Sequence, residues 1–161
     1  MLLNINLDKI ADLDFKTKEA YKTLRTNVQF CGENVKVVSL TSCVPNEGKS
    51  MVAFNLAVSM AESGKKVLFV DADLRKSVLI GRYKINKAIK GLTQYLSGVE
   101  ELDQVKYTTN VPCLDMILSG PVPPNPAELL DSEKFAELVE RARNEYDYVI
   151  IDTPPIGQVI D

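Results

Sequence analysis

The sequence predicts an α/β fold in which a mostly parallel β-sheet carries helices on both faces. Four short segments are almost unbroken apolar runs, which is typical of strands buried on both sides. They are residues 35–42, 65–73, 113–120 and 146–155. Segments with the apolar spacing of helices alternate with these runs, as in parallel sheets covered by helices. A chain of 161 residues, 45% of them apolar, has the length of one globular domain with a substantial core.

In the first half of the chain we expect the order helix, strand, helix, strand. Residues 14–30 are predicted to form a helix with one apolar seam. The seam residues repeat at a spacing of four: Ala20, Leu24 and Val28. The first buried strand then leads into a helix over residues 51–64, where Gly64 suits a left-handed C-terminal cap.

The second half is predicted to contain three helices between its strands. A short helix is expected over residues 91–98 and a longer one over residues 132–145. The longer helix has an apolar stripe at helical spacing, formed by Phe135, Leu138, Val139 and Ala142. Before it, Asn125 is predicted to cap another short helix, with Pro126 at its first position and Glu128 in the capping-box position.

Composition excludes several classes of function. The formal net charge is −3 and no basic run is present, so nucleic acid is not expected as a partner. No apolar stretch approaches the roughly 18 to 20 residues of a membrane-spanning helix, so we expect a soluble chain. The chain has no histidine, which excludes histidine-based catalysis and most zinc sites. Its three cysteines lie far apart, which favours the reducing cytosol over a disulfide framework.

The segment SCVPNEGKS, residues 42–50, has the features of a phosphate-binding loop. It connects an apolar strand to an apolar helix, so it presents backbone N–H groups and a helix N-terminus to an anion. Gly48 allows close approach of the backbone, Lys49 can reach the β- and γ-phosphates, and Ser50 can bind Mg2+. Cys43 replaces the usual first glycine, and an ordinary strand–helix turn is the alternative. The predicted nucleotide contacts are Val44, Pro45, Asn46, Glu47, Gly48, Lys49, Ser50 and Met51.

Three carboxylates lie at the carboxyl ends of predicted strands. Asp71 and Asp73 end the second apolar run, two residues apart on an extended chain, so both side chains are expected on one face. Asp152 lies in the fourth run, and the ends of parallel strands share one edge of a sheet. Ser50, Asp71 and Asp152 are the predicted Mg2+ site, with Asp152 acting through a metal-bound water.

Lys49, Asp71 and Asp73 are the predicted catalytic residues. One of the two aspartates is expected to orient the metal and the other to accept a proton from an incoming hydroxyl. The alternative for Asp73 is a structural role, as a helix cap or as an ion-pair partner of Arg75.

Several segments resemble one known family. VLFVDADLRKS resembles the Walker A′ motif, and YVIIDTPP the Walker B motif, of the bacterial tyrosine kinases built on a P-loop fold (BY-kinases). KEAYKTLRTNVQF is similar to their N-terminal helix, and LSGPVPPNPAELLDS to another stretch typical of them. The resemblance covers nearly the whole chain. It implies a P-loop NTPase fold and a single kinase domain over residues 1–161, with residues 1–32 as a helical oligomerisation segment.

The chain departs from the family pattern at three places. The family's oligomerisation motif, Glu-x-x-Arg-x-x-Arg, falls on Glu19, Lys22 and Arg25, and Lys22 lacks the planar two-pronged donor of arginine. Local ion pairs on an exposed helix are the alternative for these three residues. Ser77 stands where proline is frequent. The chain also stops soon after Asp152, so we expect a C-terminally truncated domain without the family's last strands and tyrosine-rich tail.

The resemblance implies an ATP-dependent, autophosphorylating, non-specific protein-tyrosine kinase that regulates capsular or exopolysaccharide synthesis. ATP and Mg2+ are the implied cofactors. The implied partners are a separate transmembrane activator or adaptor protein, further copies of the chain in a ring, and a tyrosine phosphatase as antagonist. The implied location is cytoplasmic, at the inner face of the membrane through the adaptor.

Two alternative functions are weighed against the kinase. A partition-type ATPase switch of the Min/Par kind carries a signature lysine five residues before the loop lysine, and Val44 occupies that position here. A non-catalytic nucleotide-binding interaction domain is the second alternative. The complete set of one lysine, one serine and three aspartates argues against it.

Overall fold

The computed structural model describes residues 3–7, 10, 12–85 and 89–156, and six strands within them form one sheet. The strands are β1 (Leu3–Ile5), β2 (Val37–Leu40), β3 (Val67–Asp71), β4 (Lys106–Thr109), β5 (Leu114–Ile117) and β6 (Tyr148–Asp152). Their order across the sheet is β1-β4-β5-β3-β6-β2. Neighbouring strands are parallel except for β4 and β5, which are antiparallel. The predicted α/β fold with a mostly parallel sheet is confirmed.

Helices connect the strands and cover both faces of the sheet. They are α1 (Phe15–Phe30), α2 (Lys49–Glu62), α3 (Leu79–Arg82), α4 (Leu92–Leu96), α5 (Pro126–Leu130) and α6 (Glu133–Glu145). All five helical segments expected from the sequence are present, whereas α3, β1 and β4 were not predicted. Within the described ranges, no helix combines the length and the apolar character needed to cross a membrane.

Each face of the sheet has its own apolar core. On one face α2 is buried from Ala53 to Ala61, and the Phe54 ring packs edge-on against Phe69 of β3 with centroids 5.8 Å apart. On the other face Leu138 and Ala142 of α6 are buried with residues of β3, β5 and β6. The apolar stripe predicted for α6 therefore faces the sheet.

Helix α1 packs on the outer side of α2 and has no fully buried residue. Leu24 and Val28 contact the core, as predicted, but Ala20 is exposed, so the seam is shorter than expected. Arg25 reinforces the packing, because its Nη1 donates hydrogen bonds to the carbonyl oxygen of Ser59 at 2.7 Å and to its Oγ at 3.3 Å.

The N-terminal segment is only partly helical. Residues 1–32 were expected to form a helical segment, but Leu3–Ile5 form strand β1, which pairs with β4. The helix begins at Phe15, after Asp14, whose carboxylate accepts a hydrogen bond from the backbone N–H of Thr17 at 2.7 Å. Hydrogen bonding from the Thr17 side chain, and then from its backbone N–H, lowers the pKa of Asp14.

Strand β2 lies at the edge of the described sheet, not in its interior. The apolar sequence predicted a fully buried strand, but β2 is only half-buried. Its neighbour is β6, which lies between β2 and β3. The prediction of full burial was wrong because an apolar run indicates burial without indicating how many strands flank it.

The helix boundaries agree with the prediction at Gly64 and Pro126 and differ from it at Asn125. Gly64 has φ of +87° and forms a Schellman cap after α2, since its N–H donates to Ala61 and that of Lys65 to Met60. Pro126 is the first residue of α5, as predicted. However, Asn125 makes no side-chain cap, and its Nδ2 instead donates to Glu128 at 3.2 Å. The predicted capping box is therefore not formed.

Two buried tyrosines predict opposite effects of removing a hydroxyl. The Tyr83 hydroxyl is buried without a hydrogen-bond partner in the described part of the chain, whereas that of Tyr146 donates to Asp115 at 2.6 Å. We expect Tyr83→Phe to leave the free energy of unfolding unchanged or to raise it by up to about 1 kcal/mol. Tyr146→Phe should lower it by about 1 to 3 kcal/mol.

Urea unfolding of the two variants and the wild type would measure this difference. Each substitution removes the same oxygen from a buried ring, so each variant is the control for the other. Equal destabilisation by both would contradict the expected difference.

Candidate functional site

The loop between β2 and α2 encloses a cavity at the carboxyl edge of the sheet. Two residues of the loop are left-handed, Asn46 with φ of +64° and Gly48 with φ of +82°. Asparagine tolerates this conformation better than most residues, so Asn46 can hold a turn that usually needs glycine. Two hydrogen bonds attach the start of the loop to the segment after β6. Ile156 N–H donates to the Ser42 carbonyl at 2.8 Å, and Thr41 Oγ1 donates to the Pro154 carbonyl at 3.2 Å.

Most of the predicted nucleotide contacts line this cavity, which has a volume of about 280 Å³. Every residue of the range 45–51 contributes to its wall, whereas Val44 does not and is exposed. The opposite wall contains Asp73, which was predicted, and three residues that were not. These are Lys76, Val78 and Arg82. Their position just after the carboxyl end of β3 was the available sequence signal.

A buried ion pair joins the loop to the centre of the sheet. Lys49 lies in the first turn of α2, and its Nζ contacts Asp152 Oδ1 at the end of β6. The Lys49 side chain is 7% exposed and that of Asp152 is 1% exposed. The lysine therefore stands where the loop, the helix and the strand end meet, and its charge is shielded little by solvent.

Asp71 lies directly beside this ion pair. It is the register partner of Asp152 across β3 and β6, and it is almost fully buried. Its Oδ1 accepts a hydrogen bond from Asp73 N–H at 3.1 Å, and its Oδ2 accepts one from the Ser77 hydroxyl. Burial raises the pKa of Asp71 to about 7, and the negative charge of Asp152 adds to this effect while the Ser77 hydrogen bond opposes it.

Asp73 reaches the same place by a turn of the chain. Its N–H binds the Asp71 carboxylate, and the chain turns away from the strand after Asp71. The two carboxylates are thus brought together by a turn and not by the alternation of an extended strand, which was the predicted reason. Asp73 Oδ1 also accepts a hydrogen bond from Lys76 N–H at 3.1 Å, which holds the turn. It does not cap a helix, as the alternative prediction had it, because α3 begins at Leu79 with Val78 as its N-cap residue.

The environment of Asp73 differs from that of Asp71. Burial raises the pKa of Asp73, while its hydrogen bond from Lys76 and the nearby charge of Lys49 act in the opposite direction. In the part of the chain that the structure describes, Asp73 forms no ion pair with Arg75. Its side chain lines the cavity, so it can meet a ligand there.

Oxygen atoms that suit a hard divalent cation lie on the cavity wall, at Ser50, and at the neighbouring strand ends, at Asp71 and Asp152, which do not line the cavity themselves. Ser50 lies on the wall at the start of α2, and Asp71 and Asp152 lie side by side at the strand ends. Three carboxylates lie near the strand ends with one buried lysine, which pairs with Asp152, so added positive charge would be favourable. No three histidine, cysteine or carboxylate side chains in the described ranges lie together as a complete metal site. Mg2+ would therefore complete its shell with Ser50, phosphate oxygens and water.

The three predicted oligomerisation residues lie on α1 and have different surroundings. Lys22 and Glu19 form an exposed ion pair at 2.9 Å, as the alternative interpretation expected. Arg25 is half-buried and turned toward α2 through its hydrogen bonds to Ser59. If Arg25 also contacts another subunit, its guanidinium must bind that subunit and Ser59 at the same time.

The chain is similar to AAA domains and to proteins named as tyrosine-protein kinases. The family profile of the AAA domain matches residues 35–161. The tyrosine-protein kinase CpsD of Streptococcus agalactiae is 48% identical over 146 residues, which make up 91% of this chain and 64% of that protein. The chain thus spans less than two thirds of the length of this curated relative.

Solved structures extend the comparison to the fold. The kinase domain of the Escherichia coli tyrosine kinase ETK has a TM-score of 0.85 at 36% identity, covering 98% of this chain and 62% of that one. The septum site-determining protein MinD of Pyrococcus horikoshii, solved with Mg-ADP, has a TM-score of 0.63 at 28% identity. That likeness covers 74% of this chain and 49% of MinD, so MinD is the more distant relative.

The raised pKa of Asp71 predicts a pH-dependent stability. The ordinary value is 3.8 and the folded value is about 7, so the folded protein binds a proton that the unfolded chain releases within this window. The Asp71 contribution is therefore destabilising as pH rises from about 4 to about 7. We expect Asp71→Asn to become progressively more stable relative to wild type across this range.

Urea titrations at several pH values, without added nucleotide or Mg2+, would measure the difference between the two proteins. Asp103→Asn, at an exposed aspartate, is the matched control and should show no such trend. A constant difference between Asp71→Asn and wild type from pH 4 to pH 7 would contradict the assignment.

Proposed function

The chain belongs to the bacterial tyrosine kinases of the P-loop type, within the AAA-domain family, and we propose on this basis that it carries the phosphoryl-transfer site of an ATP-dependent protein-tyrosine kinase. The reaction would move the γ-phosphoryl group of ATP to a tyrosine hydroxyl, in autophosphorylation among other acceptors. The observation that carries the proposal is the meeting of the Lys49–Asp152 ion pair with Asp71 and Asp73 beside the loop cavity. Regulation of capsular or exopolysaccharide synthesis is the proposed role.

The loop residues would bind and orient the phosphates. Backbone N–H groups of the range 46–50 and the positive end of α2 surround the cavity, and Lys49 can share its charge between Asp152 and the phosphates. Ser50, Asp71 and Asp152 would hold Mg2+, which when bound neutralises charge on the phosphate oxygens. Phosphoryl transfer asks mainly for positioning and charge stabilisation, which these groups supply.

The two aspartates would have different roles in the transfer. Both oxygens of Asp71 accept a hydrogen bond, one from Asp73 N–H and one from the Ser77 hydroxyl, so Asp71 fixes the turn and would bind Mg2+ only through the remaining lone pairs of these oxygens. Asp73 lines the cavity and has a raised pKa, so it is the better placed proton acceptor. The tyrosine oxygen would attack the γ-phosphorus, the bond to the β-phosphate oxygen would break, and the tyrosine proton would pass to Asp73.

The tyrosines of the chain itself are poor acceptors. Four of them, Tyr83, Tyr107, Tyr146 and Tyr148, are buried. Tyr21 and Tyr95 are half-buried, and the Tyr95 ring lies under the Lys134 ammonium at 4.6 Å. The proposed acceptor is therefore a tyrosine of another segment or another molecule.

A partition-type ATPase remains the second candidate because of the similarity to MinD. Val44 stands at the position of the signature lysine of such switches, so the chain lacks their charge stabiliser at that place. The two functions differ in the fate of the phosphoryl group, which reaches tyrosine in one and water in the other. A non-catalytic nucleotide-binding domain would transfer it to neither.

The proposed partners follow the family. A separate transmembrane activator or adaptor would bring the chain to the inner face of the membrane, and a tyrosine phosphatase would reverse its action. A homo-oligomeric ring would use the α1 residues Glu19, Lys22 and Arg25. No nucleic-acid partner is proposed, since the formal net charge is −3.

Replacement of the loop lysine tests the proposal directly. In the full-length protein with radiolabelled ATP and Mg2+, we expect label on tyrosine, and Lys49→Met should reduce it by about 100-fold or more, because the phosphates lose their neutralising charge. Lys65→Met, an exposed lysine just beyond the other end of α2, is the matched control and should behave as wild type.

Because Lys49 also pairs with Asp152, circular dichroism must show that the Lys49→Met variant is folded. Label released only as free phosphate by the wild type would favour the ATPase. ATP affinity and tyrosine labelling unchanged in Lys49→Met would defeat the assignment of the site.

The proposed adaptor gives a second prediction. Addition of the cytoplasmic segment of a membrane adaptor should raise the ATP turnover of the full-length kinase, because the adaptor would order the oligomer and its acceptor segments. The measurement is phosphate or ADP release with and without the segment, with a scrambled segment as control. An unchanged rate with a segment that binds the kinase would contradict the role of activator.

A further inference from the structure

A second cavity of about 240 Å³ lies beside the loop cavity and has mainly apolar walls. We call it the apolar pocket. Its apolar walls are Leu74, Pro126, Ala127, Leu130 and Pro154. Two charged residues complete the lining, Arg75 and Asp131. Three segments that are far apart in the sequence thus meet here: the turn after β3, helix α5 and the turn after β6.

The apolar pocket and the loop cavity share a wall made of two chain segments. Leu74 lines the pocket and follows Asp73, which lines the loop cavity. Pro154 lines the pocket and precedes Pro155, which lines the loop cavity. The contact between Thr41 Oγ1 and the Pro154 carbonyl fixes this wall to the start of the phosphate-binding loop. A group seated in the pocket therefore contacts the residue that directly follows the proposed proton acceptor, Asp73, in the chain.

The two charged residues of the pocket differ in burial. Arg75 is half-buried and takes part in none of the ion pairs found among the described residues. Asp131 is exposed. A guanidinium beside an apolar pocket can stack on an aromatic ring and bind a carboxylate with two parallel hydrogen bonds. The complementary ligand is an aromatic residue with an acidic neighbour on the Arg75 side.

We infer that the apolar pocket receives the ring of the acceptor tyrosine and that Arg75 selects an acidic residue next to it. This inference rests on the proposed kinase function and names the substrate class of the same site. A tyrosine matches the pocket because its ring buries apolar surface while its hydroxyl remains at the polar side, toward Asp73. Leu74, Ala127 and Leu130 would then act on acceptor binding without contacting the nucleotide.

A pocket-filling substitution tests the inference. Ala127 is exposed at the pocket wall, so Ala127→Trp places a large ring in the pocket without removing a core side chain. Ala136→Trp is the matched control, at an exposed alanine of α6. In the full-length protein we expect Ala127→Trp to raise the KM for a tyrosine peptide flanked by glutamates about tenfold or more. The affinity for a fluorescent ADP analogue should stay within about twofold of wild type in both variants.

Arg75→Gln tests the charge selection separately. Wild type should prefer a glutamate-flanked peptide to a lysine-flanked one, and the variant should lose most of this preference, mainly through KM. A general structural defect would lower the rate for both peptides equally and so would not mimic this result. Direct binding of a glutamate-flanked peptide with phenylalanine in place of tyrosine should weaken in Ala127→Trp and Arg75→Gln alike.

The outcomes separate this inference from the proposed function. Wild-type protein that binds the ADP analogue but phosphorylates no tyrosine would overturn both. Tyrosine phosphorylation that Ala127→Trp leaves unchanged would overturn the pocket assignment alone. A loss of ADP affinity in Ala127→Trp without a change in peptide binding would assign the pocket to the nucleotide and overturn the inference as well.

Discussion

The buried contact between Lys49 and Asp152 is the interaction on which the site depends. Asp152 ends β6 and has Asp71 as its register partner, so two carboxylates lie side by side in an apolar sheet. Burial of one such charge without a partner is costly, and burial of two is more so. The ammonium of Lys49, delivered by the first turn of α2, offsets this cost and ties the phosphate-binding loop to the strand ends. The position of the loop is thus fixed by electrostatics as well as by backbone connection.

The two aspartates after β3 show how one short turn creates different chemical environments. Asp71 is enclosed, with hydrogen bonds to both oxygens, whereas Asp73 reaches the cavity wall. The turn that separates them also starts the wall that the loop cavity shares with the apolar pocket. The proposed metal ligand Asp71, the proposed proton acceptor Asp73 and two residues of the apolar pocket, Leu74 and Arg75, therefore lie within residues 71–75 at the end of one strand.

Sequence patterns predicted those parts of the fold that depend on burial. The four apolar runs all became strands, because strands covered on both faces need apolar side chains on both. Strands β1 and β4 were not predicted, because the sequence of β1, LNI, is short and that of β4, KYTT, is mostly polar. Pairing with neighbouring strands stabilises both of them. The same limit applies to the site. The loop and its aspartates were found as local motifs, but Lys76, Val78 and Arg82 come from the turn after β3 and the four-residue helix α3, which has no periodic pattern to predict it.

The order of strands in the sheet has a consequence for synthesis of the protein. Strand β2, which leads into the phosphate-binding loop, pairs with β6, and β6 is the last described strand to leave the ribosome. Until then the loop has neither Asp152 nor the turn after β6 to hold it, and the apolar strand β2 lacks the partner it has in the finished sheet. The nascent chain would therefore gain its ligand site only after β6 has been synthesised, and until then chaperones would meet strand β2 without this partner.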